Sequence, residues 1–245
     1  MGRRVAICMA RAVTAIVIAS SPFASRAEEL TGPVANRAFL FAGADLTRNY
    51  SFVWTGLTSI PFGEIGEDGL RLRAMGGTGQ YRYRTDAFSS GENRGSVTSG
   101  ELLVGNRVTI GPAILTGYAG LDAKDYRLRN PDPGNPESGS RLGIKAAFEV
   151  YARTASDRFA TAYGNISSVF ATYALRVALH HELAPGLALG VESGLLGDRR
   201  YDEQRAGLIA TLTIPKASFT AAVGVARNSG DGSGAYMTLT AYAPF

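Results

Sequence analysis

From Arg141 to Tyr151 the residues alternate without a break. Arg141, Gly143, Lys145, Ala147 and Glu149 fall on one side, and Leu142, Ile144, Ala146, Phe148 and Val150 on the other. Successive side chains of a strand point to opposite faces, so this is a strand with one charged face and one wholly apolar face. A slip of one residue would put Arg141 and Lys145 on the apolar side, which makes the register strongly specified. Two kinds of fold use such a strand. A soluble sandwich turns the apolar face to its core, whereas an outer-membrane barrel turns it to lipid and lines its lumen with the charges.

The rest of the chain repeats the pattern. Strands are expected near 38–46, 50–60, 70–84, 97–109, 113–125, 140–151, 158–165, 168–182, 187–197, 203–214, 217–227 and 234–243, about twelve in all and long enough to cross a bilayer as a barrel. Glu101 and Arg107 oppose Leu102, Val104 and Val108, while Arg176 and His180 oppose Leu175, Val177 and Leu179. Glu192 opposes Leu189 and Val191, and Arg205 opposes Ala206 and Leu208. A basic side chain at the lipid midplane costs about 2–4 kcal/mol, and the charges keep to one side.

Loop lengths point the same way. With the first strand starting in the periplasm, Thr85 to Ser96, Tyr126 to Gly139, Gly197 to Asp202 and Asn228 to Gly234 all fall outside. The short turns Ile110-Gly111-Pro112, Ala184-Pro185-Gly186 and Pro215-Lys216 fall inside, as an up-and-down barrel requires. Pro61 to Gly69 is the long exception among the inner turns. The expected fold is an all-β, up-and-down antiparallel transmembrane β-barrel of the outer-membrane type. A soluble periplasmic β-sandwich that binds glucan is the alternative with the same alternation inverted.

A leader precedes this domain. Arg3 and Arg4, an apolar run from Val5 to Ile18 and Ser25-Arg26-Ala27 make residues 1–27 a cleaved signal peptide, with 28–37 as a short periplasmic lead-in and 38–245 as the barrel. The leader holds four of the 25 Lys and Arg residues and none of the 21 acidic ones. The mature chain is therefore balanced in charge, which argues against a nucleic-acid partner. Cys8, the one cysteine, leaves with the leader. The C-terminus, Tyr242-Ala243-Pro244-Phe245, ends on the aromatic residue usual for outer-membrane strands but interposes a proline.

Candidate lumen-lining residues are Arg71, Arg73, Glu101, Arg107, Arg141, Lys145, Glu149, Arg176, Glu192 and Arg205. They suit either a network of neutralised ion pairs that fills a closed barrel or a narrow pore for a polar solute. Trp54, Tyr81, Tyr83, Tyr118 and Tyr126 suit an interfacial girdle better than sugar stacking. Arg71 and Arg73 are odd-numbered and Arg82 and Arg84 even, with Gly76-Gly77-Thr78-Gly79 between them, which reads as a glycine bulge that shifts register. In the long loop before Arg141, Asp132, Asn135 and Glu137 offer oxygens to calcium or sugar hydroxyls, although turn chemistry explains them as well.

No metal or other cofactor is expected. His180 and His181 are adjacent and so face opposite ways, which prevents joint chelation. A barrel enzyme acting on lipid or glycan, with His181 beside Ser167 or Ser168, is a further alternative that no spacing enforces. The expected protein is not an enzyme.

The segments GYAGLDAKDYRL and PDPGNPESGSRLGIKAAFEVY resemble the bacterial cellulose biosynthesis protein BcsS family. So do FAGADLTRNYSF, DGLRLRAMGGTGQYRYR, SGELLVGNRV and GLALGVESGLLGDRRYDEQRAGLIATL, in matching order over most of the mature chain. The resemblance implies a role in cellulose synthesis or export in a Gram-negative envelope. Its implied partners are outer-membrane lipid and a glucan chain or other cellulose-synthesis components, and it implies no catalytic residue.

Overall fold

The computed structural model describes residues 37–135, 137–199, 201–229 and 232–245. The expected signal peptide lies outside these residues, as does the lead-in apart from Arg37. The strands are β1 (Ala38–Thr47), β2 (Tyr50–Ser59), β3 (Gly69–Arg84), β4 (Glu92–Ile110), β5 (Ala113–Leu128) and β6 (Gly139–Ala155), followed by β7 (Arg158–Ser167), β8 (Tyr173–Ala184), β9 (Leu187–Gly197), β10 (Asp202–Ile214), β11 (Ala217–Asn228) and β12 (Gly232–Pro244). Each pairs antiparallel with its sequence neighbours, and β1 closes against β12 from Phe39↔Pro244 to Thr47↔Tyr236. The described residues form one closed twelve-stranded barrel with no free sheet edge among them, not a pair of packed sheets.

The alternation decides what each face meets. On β6, Leu142 and Ile144 are 72% and 70% exposed on the outside, while Lys145 and Glu149 are buried inside. Leu102, Val104, Ile166, Leu179, Leu208 and Val225 continue the exposed apolar belt on other strands. Among the described residues no helix is long and apolar enough to cross a membrane, so any crossing is made by strands.

Ala38 and Phe245 mark the inner end of the barrel, where they exchange two backbone hydrogen bonds. Most turns there are tight, such as Gly111-Pro112 and Pro185-Gly186, each with a glycine at positive φ. Residues 60–68, the long exception, fold back so that Ile60 and Ile65 join the buried core.

Three local expectations change. The β3 ladder runs without a register shift, so the glycine bulge does not exist. Arg71 and Arg73 face inward, whereas Arg82 and Arg84 face outward at the outer end, and both pairs keep to one regular alternation. The glycines make room instead: a Cβ on Gly77 would lie 2.4 Å from the ring of Phe52. Second, the strand expected over 168–182 starts only at Tyr173. Val169–Ala171 form a short 3-10 turn in which Phe170 and Ala171 adopt φ of 56° and 52°, and Val169 is buried. Third, β4 begins at Glu92, where Arg84↔Glu92 extends the β3–β4 ladder beyond the apolar belt.

Candidate functional site

The lumen holds most of the candidate residues, and it is filled. Its first layer centres on Arg73 of β3, whose Nε lies 3.0 Å from Glu101 Oε1 of β4 and whose Nη1 donates to Glu149 Oε1 of β6 at 2.8 Å. Lys145 Nζ donates to the second oxygen of Glu101 at 2.5 Å, and the Arg73 guanidinium stands 4.2 Å from the ring centre of Tyr118. Two cations, two carboxylates and an aromatic face thus neutralise one another in a site with almost no solvent access. Such a cluster holds its members in one arrangement, because removing any of them strands a buried charge.

Further polar contacts line the rest of the wall. Arg205 of β10 reaches Asp45 of β1 and also pairs with Glu203, while Thr238 donates to Asp45 at 3.1 Å. Arg176 Nε donates to Glu192 Oε2 at 2.8 Å, and Tyr236 donates to the other oxygen of Glu192 at 2.6 Å. Closer to the outer end, Ser167 donates to Asp122 at 2.6 Å, and Lys124 donates to Thr172 at 2.6 Å beside that carboxylate. Of the ten candidates, Arg176 is half-buried and Arg141 is exposed at the outer end of β6, while the other eight are buried.

Arg71 and Arg107 act at the inner mouth. Arg71 Nη2 donates to the carbonyl of Ile65 at 3.0 Å, and Arg107 Nη1 donates to that of Gly66 at 2.8 Å and to Asp68 at 3.0 Å. Both arginines pin residues 60–68 across the opening, which explains why this inner turn is long.

At the outer mouth the loop between β5 and β6 also folds inward. Asp132, Asn135 and Glu137 are buried rather than presented to a ligand from outside. Asp132 Oδ1 caps the amide of Gly134 at 2.9 Å, and Asn135 Oδ1 caps that of Glu137 at 2.9 Å, so turn chemistry occupies two of the three side chains. Tyr83 and Asn93 tie the loop to the wall through Asp132 at 2.9 Å and the carbonyl of Asn130 at 2.9 Å. Phe170 from the 3-10 turn meets the Tyr126 ring edge-on at 4.9 Å and packs, partly buried, against the lumen core.

The aromatic residues correct the girdle expectation. Trp54, Tyr81, Tyr83, Tyr118 and Tyr126 are all buried inside the barrel. Tyr50, Phe52 and Trp54 form a column with ring centres 6.0 and 6.1 Å apart, and Gly43 and Gly77 leave the space for it.

Sequence reading missed Asp45, Glu203 and Tyr236 as lumen groups. On β1 the inward face reads Phe39, Phe41, Gly43, Asp45, so aromatic filler hides the polar face there.

The arrangement weighed for a barrel enzyme does not form. His181 is paired in register with Arg158 at the inner end, 3.3 Å from Asp157, while Ser167 sits at the opposite end of β7. Nine residues of strand put these ends about 30 Å apart. His180 faces inward, stacked on Phe159 at 4.4 Å and within 3.3 Å of the Thr161 hydroxyl. Among the described residues no cluster of His, Cys, Asp or Glu has the geometry to hold a metal ion.

The outer-membrane channel from Pseudomonas putida F1 is similar in structure, with a TM-score of 0.53 at 12% identity over 89% of this chain and 98% of its own. The translocator domain of the autotransporter NalP from Neisseria meningitidis gives 0.52 at 12% identity over 87% and 90%. The KdgM porin in complex with disordered oligogalacturonate gives 0.51 at 8% identity over 84% and 99%. At such identities the likeness concerns the fold, which is that of outer-membrane barrels. No curated protein sequence matches the chain. The profile of the cellulose biosynthesis protein BcsS family matches residues 39–245, nearly the entire barrel, and the chain belongs to that family.

Proposed function

We propose that this protein serves cellulose or related exopolysaccharide production as a non-enzymatic accessory of the outer membrane, exported by its leader and acting as a surface factor with a closed lumen. Its partners in that role are outer-membrane lipid and the glucan chain or other components of cellulose synthesis. Family membership supports the cellulose link. The observation that carries the closed reading is the neutralised Arg73–Glu101–Lys145–Glu149 layer, buried between two occluded mouths. A solute path through that layer would have to separate buried ion pairs, and stranding one such charge costs about 3–5 kcal/mol.

Reconstitution in planar lipid bilayers, paired with complementation of a strain lacking the protein, tests this reading. The expected result is a heat-modifiable, membrane-resident barrel that restores cellulose output and shows no stable open conductance. Steady conductance in the wild-type protein would replace the surface factor with a channel, and unchanged cellulose output in its absence would remove the cellulose role.

A further inference from the structure

A row of arginines crosses the outward face near the outer end of β3, β4 and β5. Arg82 and Arg94 are direct cross-strand partners, and the amide of Arg129, one residue past the end of β5, donates to the carbonyl of Arg94 at 2.8 Å, which carries the row onto the β5 side. On the other side, the Arg82 amide donates to the carbonyl of Asn49 at 2.9 Å, next to Arg48 in the β1–β2 turn. Among the described residues no acid stands on this row. Glu92 lies opposite Arg84 one step further out, and Asp125 is held by Arg127 and Ser140 at 2.6 and 2.7 Å.

Like charges directly opposite each other, about 5 Å apart, destabilise a sheet unless an anion comes between them. The Arg82 guanidinium is fixed by the carbonyl of Arg48 at 2.9 Å, and with Arg94, Asn49, Ser51 and Gln80 it lines a cleft of about 320 Å³. Arginine forks suit the oxygens of a phosphate group better than those of any neutral ligand.

Directly below, the same strands carry an apolar groove. Gly76 and Gly100 face each other across β3 and β4, and with Ala74, Leu102, Leu121 and Leu142 they outline a hollow of about 580 Å³. Six residues separate Arg82 from Gly76, about 20 Å along the strand and about 15 Å in depth at usual barrel tilts. That depth places the groove among acyl tails when the arginines lie at the headgroups.

We infer that this face binds a phosphorylated glycolipid of the outer leaflet, its phosphates against Arg82, Arg94 and Arg129 and one acyl tail in the Gly76–Gly100 groove. The inference rests on the reading that the apolar belt meets a membrane, and it is independent of whether the lumen conducts. The source of the anion is a membrane lipid, not a free phosphate or an acidic polysaccharide.

The test uses the full barrel in phosphatidylethanolamine nanodiscs doped with diphosphorylated or monophosphorylated lipid A, with retained lipid counted by native mass spectrometry. The diphosphorylated lipid is expected to be retained preferentially, and an R82Q/R94Q variant to lose on the order of 20-fold in retention, at roughly fivefold per arginine. Gly100→Leu keeps every arginine and has open space for its side chain, since a Cβ there meets nothing closer than 3.8 Å. It is expected to weaken lipid retention while leaving competition by inorganic phosphate unchanged. Equal retention by wild type and R82Q/R94Q, both heat-modifiable, overturns the proposal. Complete displacement of the lipid by millimolar inorganic phosphate also overturns it, by showing a free-anion site. Retention lost while the lumen stays non-conducting leaves the proposed function untouched.

Discussion

Arg205 on β10 and Asp45 on β1 meet inside the lumen, with one guanidinium nitrogen donating to both carboxylate oxygens at 2.8 Å. The pair spans two intervening strands beside the β1–β12 closure and is buried at both ends. Replacing Asp45 with Asn removes the charge that Arg205 faces and leaves only Glu203 to answer it, so a loss of about 3 kcal/mol is expected, toward the lower end for breaking a buried pair. Thr238→Val deletes only a neutral donor to the same carboxylate and is expected to cost about 1 kcal/mol. Urea unfolding from lipid vesicles, followed by heat-modifiable mobility, measures both. Equal losses would mean that the carboxylate charge carries no special weight.

Gly77 and Gly76 are neighbours with opposite tolerances. A Cβ on Gly77 points inward, 2.4 Å from Phe52 Cζ and 2.8 Å from the carbonyl of Val53, while one on Gly76 points outward and meets nothing closer than 3.7 Å. Gly77→Ala must displace the Tyr50–Phe52–Trp54 column and is expected to cost about 1–3 kcal/mol. Gly76→Ala is expected to stay within about 0.5 kcal/mol of wild type. The same unfolding measurement separates them, and a tolerated Gly77→Ala would show that the column yields without strain.

These two glycines also show where sequence reading stops. Period-two alternation depends only on backbone pleating, so strand order, register and the lipid-facing residues of β6 were legible from residues such as Leu142 and Lys145. What a glycine faces depends on a side chain from the next strand, and nothing local distinguishes a bulge from a socket for Phe52. The same limit applied to Trp54 and Tyr126. An aromatic residue on a barrel strand suits both a girdle and a filled lumen, and only the closed barrel decides. The acids and amides of the β5–β6 loop were legible as turn formers. That the turn folds into the mouth follows from Tyr83 and Asn93, more than 35 residues upstream of the groups they hold.

Asp68 makes the inner closure sensitive to acid. Its carboxylate accepts the amide of Thr109 at 2.8 Å and the Thr109 hydroxyl at 2.7 Å, and these bonds, with help from Arg107, hold its pKa below the usual aspartate value. A depressed folded pKa means that the contact stabilises the closure fully above the ordinary aspartate range, and that the stabilisation is lost as pH falls through the folded value. Protease cleavage within residues 60–68 is therefore expected to be slow at neutral pH and to speed up in acid. Asp68→Asn is expected to be cleaved faster at neutral pH and to lose most of the acid response. A variant that keeps the full response would assign it to another group.

The lumen is blocked at three heights, and the heights are separable. The β5–β6 loop covers only the outer mouth, through Tyr83, Asn93 and Asp132, whereas the Arg73 layer lies deeper and is joined to β4 and β6 by its own ion pairs. Shortening residues 130–138 is therefore expected to leave bilayer conductance at background. Clearing the deep layer needs charge-balanced changes, because Arg73→Ala alone strands Glu149 and opens nothing stably. Arg73→Ala with Glu149→Ala and Tyr118→Ala removes the cation, its carboxylate and the ring beneath it, leaving Glu101 neutralised by Lys145 at 2.5 Å. Added to the shortened loop, this triple change is expected to give measurable conductance only once residues 60–68 are also released from Arg71 and Arg107. Conductance from the loop deletion alone would move the block to the outer mouth and make that loop the gate.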